Sequence, residues 1–144
     1  MDINRLIKEA MLSKDSLRLS VLRAVKSAFI LAQTEKGAKD LDDAARQKII
    51  LKQVKLRKDA SIIYLEQNRK DLSDYELAQV AVLEEFLPEQ LNENEVRKVV
   101  ANIIDQLGAN SMADMGKVMQ VANQDMSGKA DGKIVAGIVK SMLL

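Results

Sequence analysis

"NENEVRKVVANIIDQLG", residues 92–108, decides the fold. Val96, Val99, Val100, Ile103, Ile104 and Leu107 recur at intervals of three and four, which collects them on one side of an α-helix and would scatter them over both faces of a strand. Asn92 with Glu95 three residues on is a start signal, because each side chain can accept from the other residue's backbone N–H. Gly108 is the stop, since glycine enters the left-handed conformation that ends helices at no steric cost.

The same pattern extends in both directions. Upstream, Ile3, Leu6, Ile7, Ala10 and Met11 predict a short amphipathic helix, and Leu19, Leu22, Val25, Ala28 or Phe29, and Ala32 a longer one ending near Gly37. Asp42 is the expected cap of a long helix from about residue 43 to 68. "SDYE" (73–76) reads as a capping box starting a fourth helix that ends before Pro88, because the residue before proline avoids helical geometry. Downstream, Ser111 with Asp114 is expected to cap a helix carrying Met112, Met115, Val118, Met119 and Ala122. Asp131 is expected to open a last helix burying Ile134, Val135, Ile138, Val139 and Met142. The expected count is four helices before Pro88 and three after Leu91. "PEQLNE" is the candidate boundary between an N-terminal lobe, 1–90, and a C-terminal lobe, 91–144.

Composition agrees with an all-α chain. Apolar residues make up 47% of the 144 and aromatic residues 3%, with Pro88 the sole proline, whereas sheets favour aromatic and β-branched residues and frequent turns. The core is then aliphatic, with methionine filling gaps. With no cysteine and no histidine, disulfides, Cys/His zinc sites, thiol nucleophiles and imidazole-based triads are excluded. No cofactor and no metal is expected. The N-terminus shows no basic-then-apolar leader pattern and no apolar run is long enough to span a bilayer, so a cytoplasmic location without membrane partners is expected. Net charge is +1 but uneven: residues 72–96 hold seven acids and no base. That asymmetry permits an anionic partner without requiring one.

Two short motifs invite a chemical reading: "DMGKVM" (114–119) and "GKADGK" (128–133). A phosphate loop needs G-x-x-x-x-G-K followed by Ser or Thr, and here Asn123 and Ala130 break the pattern at both ends. What survives is an anion site at the helix start near Gly128, Asp131 and Gly132, flanked by Lys129 and Lys133. Against it, an Asp131 cap would occupy the same backbone donors, and capping is the favoured reading. Gly116 and Gly137 cost stability inside helices. Close packing is the expected reason at Gly116; at Gly137 packing and access for a partner's backbone are both open.

Lys133, Gly137 and Lys140 share one helical face. With Lys117 and Lys129 they form a candidate nucleic-acid surface, in which Asp114, Gly116, Gly128, Asp131 and Gly132 shape the helices. Lys48, Lys52 and Lys55 on the long helix are a second candidate, although a solvated face produces the same spacing. No residue set supports catalysis: Glu84 and Glu85, for example, are adjacent on a helix and diverge.

These motifs, with "SKDSLRLSVLRAVKSAF" and "EEFLPEQLNENEV" upstream, resemble the signature of the GatB/YqeY family over nearly the whole chain. The length is similar to that of free-standing YqeY-like proteins. The resemblance implies two helical bundles, of four and three helices. It also implies kinship with the tail of the GatB subunit of tRNA-dependent amidotransferase, which contacts tRNA, and with modules fused to some glutaminyl-tRNA synthetases. The family label is carbon–nitrogen ligase with glutamine as amide donor, although ligase chemistry belongs to other parts of those enzymes. The expected function is a non-catalytic tRNA-binding or tRNA-enzyme accessory module. Its partners would be tRNA and an amidotransferase or aminoacyl-tRNA synthetase. The alternatives are an amidotransferase-associated enzyme component, or a protein–protein adaptor without an RNA role.

Overall fold

The structure, a computed structural model, describes residues 1–35, 37 and 40–144. The described residues form seven α-helices and one 3-10 turn, with no strand among them. The chain divides into two compact units, Met1–Leu87 and Pro88–Leu144.

The first unit holds α1 (Ile3–Leu12), α2 (Ser16–Glu35), α3 (Asp43–Glu66) and α4 (Lys70–Glu84). Asp42 caps α3 by accepting from the Ala45 amide at 2.7 Å, and Gly37 after α2 has φ +74°. α1 lies on α2, and α3 and α4 form an antiparallel hairpin packed on α2. Val21, Val25, Phe29, Ile50, Val54, Val80 and Leu83 make the core. Its edge is closed by Arg18, which pairs with Glu85 and lies 5.5 Å from the centroid of the Phe86 ring.

The fourth helix starts earlier than the SDYE box predicts. α3 ends in a Schellman motif: the Arg69 amide bonds back to Tyr64 O at 2.8 Å and the Asn68 amide to Leu65 O at 3.1 Å, with Asn68 left-handed at φ +58°. α4 then begins at Lys70, so Ser73 lies inside the helix. Its buried hydroxyl meets that of Ser61 at 2.8 Å, while Glu76 pairs with Arg57 at 3.3 Å. The serine and glutamate of the supposed cap tie α4 to α3.

The second unit holds α5 (Glu93–Leu107), the 3-10 turn Met112–Asp114, α6 (Met115–Asp125) and α7 (Gly132–Leu143). Both halves of the Asn92–Glu95 capping box form, at 2.8 and 3.1 Å, and Gly108 ends α5 at φ +63°. Val96, Val100, Ile103, Val118, Ala122, Met126, Val135, Ile138, Val139 and Leu143 are its core. Three expectations fail here. Ile134 and Met142 are 51% and 38% exposed, and Leu143 is buried instead. Ser111 makes no side-chain cap; the Asp114 carboxylate instead accepts the Asn110 amide at 3.1 Å. Methionine is mainly a surface residue: Met1, Met11, Met112 and Met142 are exposed, and Met126 alone is fully buried. The three remaining methionines serve the second unit, where Met115 and Met119 pack against the core that Met126 joins.

Candidate nucleic-acid interface

The connection between α6 and α7 carries the glycine–lysine pairs. Gly128 is buried and left-handed at φ +73°. Its carbonyl accepts from the Gln90 side chain at 2.7 Å, and the Lys129 carbonyl accepts from the Leu91 amide at 2.9 Å. The loop therefore spends its polar groups holding the 88–91 segment, which places that segment in the second unit. At the start of α7 the Asp131 carboxylate accepts the Lys133 amide at 3.2 Å, so the cap occupies a donor that an anion would need. The glycine loop is a structural connection, and its helix start is already capped.

The charge lies on the outer surfaces of the helices. Lys117, Lys129, Lys133 and Lys140 are all exposed, and among the described residues none is in ion-pair distance of a carboxylate. On α7, Lys133, Gly137 and Lys140 share an exposed face. The two lysines are about 10 Å apart along the axis at roughly 1.5 Å per residue. Lys129 belongs to the loop end of the α6–α7 pair, whereas Lys117 lies in the first turn of α6, so the four lysines are dispersed rather than gathered at one point.

The glycines between them are open. A Cβ added at Gly116, Gly132 or Gly137 would meet nothing within 4 Å. This corrects the packing expectation at Gly116, where no neighbour approaches the backbone. Gly116 is the second residue of α6 and Gly132 the first of α7, so only Gly137, sixth of twelve, carries the full cost of a helix-interior glycine. Sequence reasoning overlooks Gln120 and Asn123, exposed at four and seven residues beyond Gly116. The usable signal is their spacing, which repeats that of Lys133, Gly137 and Lys140 and offers neutral donors to an anionic backbone.

The second candidate face is less uniform. Lys48 and Lys52 are exposed, whereas Lys55 is half-buried and already engaged. The perturbed titrations lie in local surface pairs of the first unit. Asp43 is held below the usual carboxylate range by its hydrogen bond from Arg46, and Asp71 by one from Arg69, whose guanidinium is raised in return. Neither pair offers a base poised for proton transfer. Among the described residues no three acidic side chains gather where they could hold a metal ion. No helix among the described residues is long and apolar enough to cross a membrane.

The second unit is a capped helical lobe with exposed lysines around an open stretch of helix backbone. The chain belongs to the YqeY-like protein family, whose model matches residues 1–143. It is similar to the protein named altered inheritance of mitochondria protein 41, mitochondrial, of two yeasts. With that of Kluyveromyces lactis it is 28% identical over 138 residues, 94% of this chain and 70% of the relative. With that of Lachancea thermotolerans it is 29% identical over 103 residues, 70% of this chain and 55% of the relative. The match thus spans little more than half of the second relative's length.

Proposed function

We propose that this chain is a non-catalytic accessory module that binds tRNA through the outer faces of α6 and α7, in the service of an amidotransferase or aminoacyl-tRNA synthetase. The observation that carries the proposal is Gly137, exposed in mid-helix between two exposed lysines, where a Cβ would touch nothing. Packing within the chain gives no reason to forgo the roughly 1 kcal/mol that alanine would supply there. An approaching ribose–phosphate backbone does, because a bare helix lets phosphates come close while Lys133 and Lys140 neutralise them. Membership of the YqeY-like family and the resemblance of the two glycine–lysine motifs to the GatB tail support the same reading. The cytoplasm is the proposed site of action, while the word mitochondrial belongs to the names of the two relatives.

The test is tRNA binding across a salt series. Replacing Lys117, Lys129, Lys133 and Lys140 with glutamine should weaken binding and flatten its salt dependence by roughly 0.7–0.9 in log–log slope for each phosphate that is no longer neutralised. Melting should hardly move, since exposed charges are worth about 1 kcal/mol or less. Unchanged affinity and slope in that variant would rule out this surface. Alone, the purified chain should hydrolyse neither ATP nor glutamine.

A further inference from the structure

α3 carries a second exposed feature that the RNA reading leaves unused. Lys48, Lys52, Leu56, Asp59, Ile63 and Glu66 are all exposed, and Leu56 and Ile63 keep 53% and 52% of their surface in solvent. Their spacing of four, four, three, four and three advances about 3.6 residues per turn, so they form one nearly straight stripe along the helix. Charge along the stripe is antisymmetric: lysine at its N-terminal end, aspartate and glutamate in its C-terminal half, leucine near the middle. Within one chain the ends cannot meet, since Lys48 and Glu66 are about 27 Å apart at roughly 1.5 Å per residue.

We propose that this stripe is a self-association surface, on which α3 of a second copy of this chain lies antiparallel. Two-fold symmetry makes every contact occur twice, and the midpoint of the stripe fixes the register. In that register Lys48 faces the second copy's Glu66, and Leu56 lies beside the second copy's Leu56 at the dyad. Lys52 spreads its aliphatic stem over Ile62 and Ile63, within a turn of the opposing Asp59. A parallel pairing would instead put lysine on lysine and glutamate on glutamate. A shallow crossing near 20° keeps the whole stripe in contact. One helix on one helix buries less than the roughly 1,200 Å² at which stable interfaces begin, so the dimer is weak, with a Kd from about 10 μM to 1 mM.

The experiment is sedimentation equilibrium of the full chain up to about 1 mM, with charge exchange between the ends of the stripe. Lys48→Glu and Glu66→Lys should each weaken association about tenfold, because both symmetric pairs turn repulsive. The double variant should return to within about twofold of the wild type, which a purely local role for either residue would not produce. The chain has no cysteine, so Leu56→Cys gives a second readout: it should oxidise to a disulfide dimer, whereas Leu31→Cys on exposed α2 should not. A monomer at every concentration, additive charge variants, or equal trapping at Leu31 would each overturn the proposal. So would a Lys48→Glu variant that loses tRNA affinity but keeps its self-association, which would mark the stripe as an anion face.

Discussion

In the first unit, the α3–α4 hairpin between residues 55 and 79 fully buries only Ser61, Ser73 and Gln79, and leaves Leu56, Ile62, Ile63, Leu65, Tyr75 and Leu77 exposed. In the second unit, the α6–α7 hairpin buries Val118, Ala122, Val135, Ile138 and Val139, and leaves outside mainly lysine, glycine and amide residues, with Ile134 and Met142 as the apolar exceptions. Both are short-looped helical hairpins, so topology does not separate them. What differs is which side carries the apolar surface. A hairpin with apolar groups outside suits a protein surface, because burial of such groups drives association. One that is smooth and basic outside suits a polyanion, where counterion release supplies the affinity. The chain thus presents two surfaces of different chemistry, on separate units.

The largest expected effect tests the gradient inside the first hairpin. Leu83 is 1% exposed at the core end of α4, so Leu83→Ala should cost about 3 kcal/mol in urea unfolding. Ile63→Ala, on the exposed stripe, should stay within about 0.5 kcal/mol at low micromolar concentration. Should the Ile63 variant lose as much as the Leu83 variant under those conditions, Ile63 is packed in the monomer and the contrast collapses. A cost at Ile63 that grows with protein concentration would sharpen it instead, since that is how a dimer contact behaves.

Next comes the polar seam. Ser73→Ala should cost about 1–2 kcal/mol, because it leaves the buried Ser61 hydroxyl without the partner it has at 2.8 Å. Removing both hydroxyls should cost less than the two single changes added together. A double-mutant cycle showing simple additivity would mean that each hydroxyl is satisfied elsewhere, and that the seam does not join the helices.

How far these features were readable depends on which residue types perform them. The stop at Gly108 and the box at Asn92–Glu95 announce themselves, because glycine and the Asn/Glu pair are selected for those geometries. Among the described residues three helices end in the same Schellman bonds, but after α1 and α3 the left-handed position is filled by Lys14 at φ +57° and Asn68 at φ +58°. Lysine gives no signal there, and asparagine only a faint one. Misplacing the α3–α4 turn made SDYE look like a cap. In the last helix, periodicity alone cannot choose between Met142 and Leu143, since both lie within one residue of the apolar stripe. The shared face of Lys133, Gly137 and Lys140 was legible in their spacing, but not the exposure of Gly116. A helical glycine reads the same whether a neighbour presses on it or nothing does.

The caps offer a test of moderate size within the second unit. Asp131→Ala removes the acceptor of the Lys133 amide and should cost about 1 kcal/mol while sparing tRNA affinity. A variant that keeps full stability but binds tRNA more tightly would show that the helix start, and not the lysine-flanked face, is the anion site.

The smallest expected effect discriminates most sharply between packing and partner access. Gly137→Ala should raise stability by about 0.8 kcal/mol, since the added methyl meets nothing and the unfolded chain loses freedom. Gly116→Ala, in the first turn of α6, should raise it by only about 0.3 kcal/mol, where the helical cost of glycine is partly relieved. If RNA lies against the α7 face, the same methyl at 137 should lower tRNA affinity, so stability and binding move in opposite directions. Lys133 and Lys140 remain in place in this variant, so its salt slope should stay close to that of the wild type while the affinity falls. That combination separates close backbone approach from charge. If Gly137→Ala gains stability and binds tRNA as tightly as before, the open glycine serves no polyanion, and the contrast between the two hairpins reduces to which of them carries the apolar surface.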